Sequence, residues 1–181
     1  MTRMIAMALV SALAWALSAC GDEEPPAADD IPARPQVTDR PDPRLRLRLE
    51  ARAHSTDPWA RTVRARPRQL LRFRAIIRNL GEAASQGRAR VELERGLGLV
   101  GISTYLRRGD DRAAGTPLKP GLTRQGVVLG RVPAGETRLA FSLRVAPSAE
   151  PGSRLTVGAS VSAQARRAAG TAVVRVVAAA R

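Results

Sequence analysis

From residue 45 onward, apolar and polar side chains alternate with a period of two, the pattern of a strand that buries one face. Leu45, Leu47, Leu49 and Ala51 alternate with Arg46, Arg48, Glu50 and Arg52. Leu71, Phe73, Ala75 and Ile77 alternate with Arg72, Arg74, Ile76 and Arg78. The pattern recurs at 89–94, 138–145 and 154–161, and shorter β-rich runs lie at 127–129 and 172–177. No segment sustains a helical period between caps. Turn signals separate the runs at Asn79-Leu80-Gly81, Pro133-Ala134-Gly135-Glu136, 147–152 and 167–170. The expectation is an all-β chain, an antiparallel β-sandwich of about seven or eight strands with apolar faces inward and arginine faces outward. Residues 106–124 read as a long loop, or a loop between two edge strands. Trp59 is expected to cover one end of the core. Phe73 and Phe141 are the core volumes whose loss is expected to cost most, about 3–5 kcal/mol on truncation to Ala.

The first twenty residues have a different pattern. Arg3 precedes an apolar run of 14 residues, from Met4 to Leu17. As a helix this run spans about 21 Å, short of the roughly 30 Å hydrocarbon core of a bilayer. It reads as the apolar stretch of an export signal. No twin arginine is present, so the general secretory route is the expectation. Leu17, Ser18, Ala19 and Cys20 then resemble the bacterial lipobox. The resemblance implies that the Cys20 thiol receives a diacylglyceryl group and that the chain is cut before it. A dual or triple acyl anchor holds a protein stably to a bilayer, whereas one chain is marginal. Gly21, not Asp, follows the cysteine, so the inner-membrane retention signal of Gram-negative lipoproteins is absent. Cys20 is the only cysteine, which excludes an intramolecular disulfide framework.

Charge divides what remains. Residues 21–43 hold six prolines and seven acidic residues against Arg34 and Arg40. Such a stretch has little to bury and reads as a disordered, extended tether reaching roughly 70 Å. From Arg44 onward, 26 arginines and Lys119 face nine acidic residues, leaving +18. The expected organisation is therefore a signal peptide at 1–19, a lipidated cysteine and acidic tether at 20–43, and a basic sandwich at 44–181.

Within the sandwich, residues 66–81, with their alternation closing on Asn79-Leu80-Gly81, resemble the opening of a repeat widespread in bacterial surface proteins. Residues 126–136, ending Pro133-Ala134-Gly135-Glu136, resemble its second motif, and 155–163 its later strand. The family is the "conserved repeat" domain, domain of unknown function 11. The resemblance spans roughly 66–178 and implies an immunoglobulin-like fold in a surface module that spaces, adheres or binds. It supplies no catalytic residue. One copy is visible, and Pro67-Arg68 stands where the family carries Gly-Asp.

The candidate binding residues are arginines. If the strands carrying Arg46 and Arg48 and those carrying Arg72, Arg74 and Arg78 are neighbours, their outward faces form one cationic plaque able to attract anionic polymers. No nucleic-acid motif is present and aromatics are scarce, so no specific nucleic acid is expected. Arg108-Gly109-Asp110 spells a tripeptide used in integrin recognition, but three residues are too few to argue adhesion. His54 with Asp57 lacks a nearby nucleophile motif, and Asp110-Asp111 lacks the further oxygen ligands a Ca²⁺ site needs. No metal, cofactor or catalytic residue is expected. The resulting expectation is a lipid-anchored, extracytoplasmic envelope protein with a non-catalytic structural or binding role. Its partners are the membrane through Cys20 and an anionic envelope polymer touched by the arginines. The alternative is a module that binds a surface protein through a sheet edge.

Overall fold

The computed structural model describes residues 44–101, 103–108 and 115–178. The signal segment, Leu17 to Cys20 and the tether lie outside the described residues, as do Gly109, Asp110 and Asp111. The described chain forms eleven strands and no helix. Seven are long and coincide with the seven alternating or β-rich runs: β1 (Leu45–Arg52), β3 (Leu70–Asn79), β4 (Ala84–Leu93), β8 (Val127–Val132), β9 (Gly135–Val145), β10 (Arg154–Ala163) and β11 (Arg166–Val176). Four are short: β2 (Thr62–Ala65), β5 (Leu97–Leu99), β6 (Tyr105–Arg108) and β7 (Thr116–Pro117).

The strands make the expected sandwich. One sheet, here the front sheet, has the order β1-β3-β9-β6-β7, with β5 also pairing β9. The back sheet has the order β2-β11-β10-β4-β8. Pairing is antiparallel except between β2 and β11, which run parallel. The chain changes sheet at each connection from β1 to β5 and again at each from β7 to β10, staying in one sheet only through β5–β6–β7 and β10–β11. This distribution of β1, β3 and β9 opposite β4, β10 and β11 is that of an immunoglobulin-like fold. Between β4 and β9 the chain visits the edge of the front sheet first, through β6 and β7, and then the edge of the back sheet as β8.

The core lies between the sheets. Phe73 and Phe141 face each other across the β3–β9 ladder and stack with ring centroids 5.4 Å apart. Both are fully buried among Leu49, Leu71, Ile77 and Leu143. Asn79, also buried, ties the β3–β4 turn: its Nδ2 donates to Glu82 O at 2.7 Å, and its Oδ1 accepts from the Gly81 amide at 3.2 Å and from Arg166 Nη1 at 3.1 Å.

Two local expectations are revised and one stands. Residues 167–170 are not a turn: the β10–β11 hairpin turns at Gln164 and Ala165, and Arg166 onward pairs with β10. The Ala-Gly composition there reflects close packing, because a Cβ at Gly170 would fall 2.9 Å from Leu47 O of β1. The Pro133-Ala134 turn signal does separate two strands, β8 and β9, and there the chain passes from the back sheet to the front. Trp59 does not cap the core. It lies against Arg52 and Arg74, whose side chains belong to the outer face of the front sheet.

Candidate functional site

The register of the front sheet decides which arginines meet. β1 pairs β3 directly, setting Arg46 opposite Arg78, Arg48 opposite Ile76, Glu50 opposite Arg74 and Arg52 opposite Arg72. β3 in turn pairs β9, setting Arg78 opposite Glu136, Ile76 opposite Arg138, Arg74 opposite Ala140, Arg72 opposite Ser142 and Leu70 opposite Arg144. β6 adds Tyr105 beside Ala140 and Arg107 beside Arg138. Because the partners of an inward Leu, Phe or Val all point inward, these residues share the outer face. All five arginines singled out from the sequence, Arg46, Arg48, Arg72, Arg74 and Arg78, therefore stand on one surface. Arg52, Arg107, Arg138 and Arg144 join them.

Two glutamates organise this face. Glu50 is only 1% exposed although it sits on the outward side of β1. Its carboxylate accepts from Arg74 Nε at 2.7 Å and pairs with Arg48. A carboxylate buried to this degree is tolerable because both oxygens are matched by guanidinium donors. Glu136 bridges Arg78 at 3.1 Å and Arg138 at 2.6 Å. Burial pushes the Glu136 carboxyl up, but hydrogen bonds from Arg138 and Arg78 and their charges outweigh it, holding it below the ordinary carboxylate value. The plaque is thus partly neutralised at Arg48, Arg74, Arg78 and Arg138. Arg46, Arg72, Arg107 and Arg144 have no ion pair or side-chain hydrogen bond among the described residues.

Trp59 reaches this surface from the β1–β2 loop. The guanidinium carbons of Arg52 and Arg74 each lie 4.5 Å from its ring centroid. In these two cation–π contacts the quadrupole of the ring attracts both guanidiniums and holds the indole against the arginine face. Near the β1 margin, Arg46, Arg48, Arg61 and Arg78 ring a hollow of about 220 Å³ over Leu47 and Ile76.

The other sequence candidates do not assemble into chemistry. Asp57 Oδ2 accepts the backbone N–H of His54 at 2.8 Å, so its carboxylate serves the turn and not the imidazole. The His54 ring nitrogen lies 3.5 Å from Gln69 Nε2. Arg108 Nη2 donates to Leu129 O of the edge strand β8 at 2.9 Å, placing a guanidinium on that sheet edge. Among the described residues no group of three or more His, Cys, Asp or Glu side chains is placed to hold a metal ion.

Sequence reasoning missed Arg107, Tyr105 and the burial of Glu50. Arg107 and Tyr105 belong to a four-residue strand too short to display a period. The inverted order of Glu50, polar yet buried, follows from its cross-strand neighbour Arg74, which only the register reveals.

The chain matches no protein-family model and none of the curated proteins. Among solved structures it is similar to the major pilin subunit of Bacillus cereus, at 10% identity and a TM-score of 0.50, covering 72% of this chain and 39% of the pilin. It is also similar to the N-terminal domain of a Streptococcus gordonii adhesin, at 13% identity and a TM-score of 0.51, covering 76% of this chain and 33% of the adhesin chain. The chain thus spans well under half the length of these structures, and the likeness is one of fold: an immunoglobulin-like β-sandwich.

Proposed function

We propose that this chain is a lipid-anchored extracytoplasmic protein whose sandwich has a non-catalytic binding role, contacting anionic envelope polymers through the outer face of the front sheet. The observation that carries the reading is the direct pairing of β1 with β3, which sets Arg46, Arg48, Arg72, Arg74 and Arg78 on one surface. Among the described residues, nine arginines against two glutamates on that face make it a field that attracts polyanions and weakens with salt. The lipobox-like Cys20 and the acidic tether supply the anchor and the spacer in this reading. The pilin and adhesin folds place the same architecture in cell-surface proteins, which supports a surface location.

The test is sedimentation of the full-length chain in non-ionic detergent with isolated cell walls, whose anionic polymers stay insoluble in that detergent, from low to high salt. Binding is expected to fall steeply as salt rises. The pair Arg46→Gln and Arg72→Gln is expected to weaken it by about tenfold, a loss of roughly 1.4 kcal/mol. Arg78→Gln is expected to weaken it less, because Glu136 already neutralises that guanidinium. Absence of binding at the lowest salt overturns the reading. For the anchor, Cys20→Ala is expected to abolish incorporation of labelled fatty acid in a bacterial host, and retained labelling overturns it.

A further inference from the structure

The front face is not uniformly cationic, because its middle strand carries small residues. On β9 the outward positions nearest the sheet centre are Ala140 and Ser142. Arg72, Arg52 and Trp59 rise on the β3 and β1 side, while Tyr105 and Arg107 rise on the β6 side. The result is a furrow of about 410 Å³ floored by Ala140 and Ser142. Tyr105 and Arg74 stand two strand spacings apart, about 10 Å, with Ala140 between them.

Its lining combines two kinds of group. Trp59 and Tyr105 present aromatic surface on opposite sides, and Tyr105 is 41% exposed despite its size. Arg72 and Arg107 are cations without an ion pair among the described residues. Among the described residues, Arg52 Nε is a buried donor with no acceptor, at the same furrow. The back sheet offers the contrast: its outer face carries Arg64, Arg88, Arg90, Arg154 and Arg175, yet no aromatic residue. Charge alone therefore does not distinguish the front furrow; aromatic walls beside guanidiniums that have no ion pair among the described residues do.

We infer that this furrow is a subsite for an acidic glycan, a sugar chain whose repeat carries a carboxylate or phosphate. The apolar face of a sugar ring stacks on Tyr105, and the planar guanidinium fork of Arg72 or Arg107 takes the anionic substituent, which it matches in two-point geometry. The small floor admits the ring; a larger residue at Ala140 would fill it. The inference rests on the proposed polyanion-binding role and adds to it a selectivity that charge does not provide.

The experiment measures binding of the full-length chain in detergent to polygalacturonate and to a phosphorylated dextran, as acidic sugars. Poly-glutamate and inorganic polyphosphate of matched charge serve as ring-free anions, and duplex DNA as a ringed anion of another class. The acidic sugars are expected to bind about tenfold more tightly than the ring-free polymers. Comparing the two acidic sugars shows whether carboxylate or phosphate is preferred. Tyr105→Ala, which removes an exposed side chain, and Ala140→Leu, which fills the floor, are expected to erase that advantage and leave poly-glutamate binding unchanged. Circular dichroism and melting curves verify that both variants fold. Equal binding to acidic sugars and ring-free anions, insensitive to Tyr105→Ala, overturns the subsite while leaving the cationic face intact. Tightest binding to DNA overturns it in favour of a nucleic acid. Failure to bind any polyanion at low salt overturns the broader reading as well.

Discussion

Side chains on this protein often hold positions that their own chemistry does not favour, and a neighbour supplies the reason. Glu50 is buried because Arg48 and Arg74 reach it from the same and the adjacent strand. Arg68 is a clearer case of cost. Residues 66–69 form a β-turn closed by the Gln69 amide donating to Arg66 O at 3.1 Å. Pro67 fits the second position, but Arg68 occupies the third with φ of 67°. That backbone region suits glycine and costs an L-residue about 1–2 kcal/mol. Glycine loses about 0.5–1 kcal/mol in unfolded-state entropy on replacing an L-residue. Arg68→Gly is therefore expected to raise stability modestly, by a few tenths to about 1 kcal/mol, read as a higher urea midpoint. Arg68→Ala, which keeps the strain, is expected to produce no gain. A midpoint lowered by Arg68→Gly would show that the arginine side chain, not its backbone, decides this turn.

At the scale of elements, the long strands were legible because one buried face imposes a period of two over six or more residues. The four short strands were not, since two to four residues cannot display a period. Their pairing comes from neighbours: β6 forms because β9 offers a free edge beside Thr137 to Ala140. The five candidate arginines were legible as outward residues, but their meeting on one face depended on β1 lying next to β3, and alternation says nothing of strand order. The same limit hid Gly170. In the sequence it resembled turn punctuation, whereas in the fold it is where β11 crosses closely behind β1. A Cβ there falls 2.9 Å from Leu47 O and 3.5 Å from Leu49 N, both backbone atoms that cannot rotate away. Gly170→Val is accordingly expected to destabilise the sandwich by about 1–3 kcal/mol through overpacking. Gly158→Ala on β10 is the comparison, because its Cβ would meet nothing closer than 3.7 Å. It is expected to be neutral or slightly stabilising in the same denaturation series. A Gly170→Val chain as stable as the parent would mean that β1 and β11 can separate there without cost.

Across the whole molecule, the formal charge of +14 makes electrostatics a matter of balance, with few carboxylates offsetting many arginines. Repulsion among the front-face guanidiniums is restrained by Glu50 and Glu136, each shared between two arginines. Glu136 carries a readable signature, because its carboxyl lies below the ordinary value in the folded chain. A carboxylate depressed on folding adds stability that is present above its unfolded pKa, about 4.3, and is lost as pH falls through the folded value. Glu136→Gln is therefore expected to be less stable than the parent chain at neutral pH. As pH drops below about 4, the parent should lose this contribution while the variant, with nothing there to protonate, should not. The gap between their urea midpoints should close in acid. High salt should narrow the neutral-pH gap in part, since Arg78 and Arg138 are themselves substantially exposed. A gap that stays constant from neutral pH into acid would mean that Glu136 acts through its shape and packing, and that the arginines of the face tolerate one another without it.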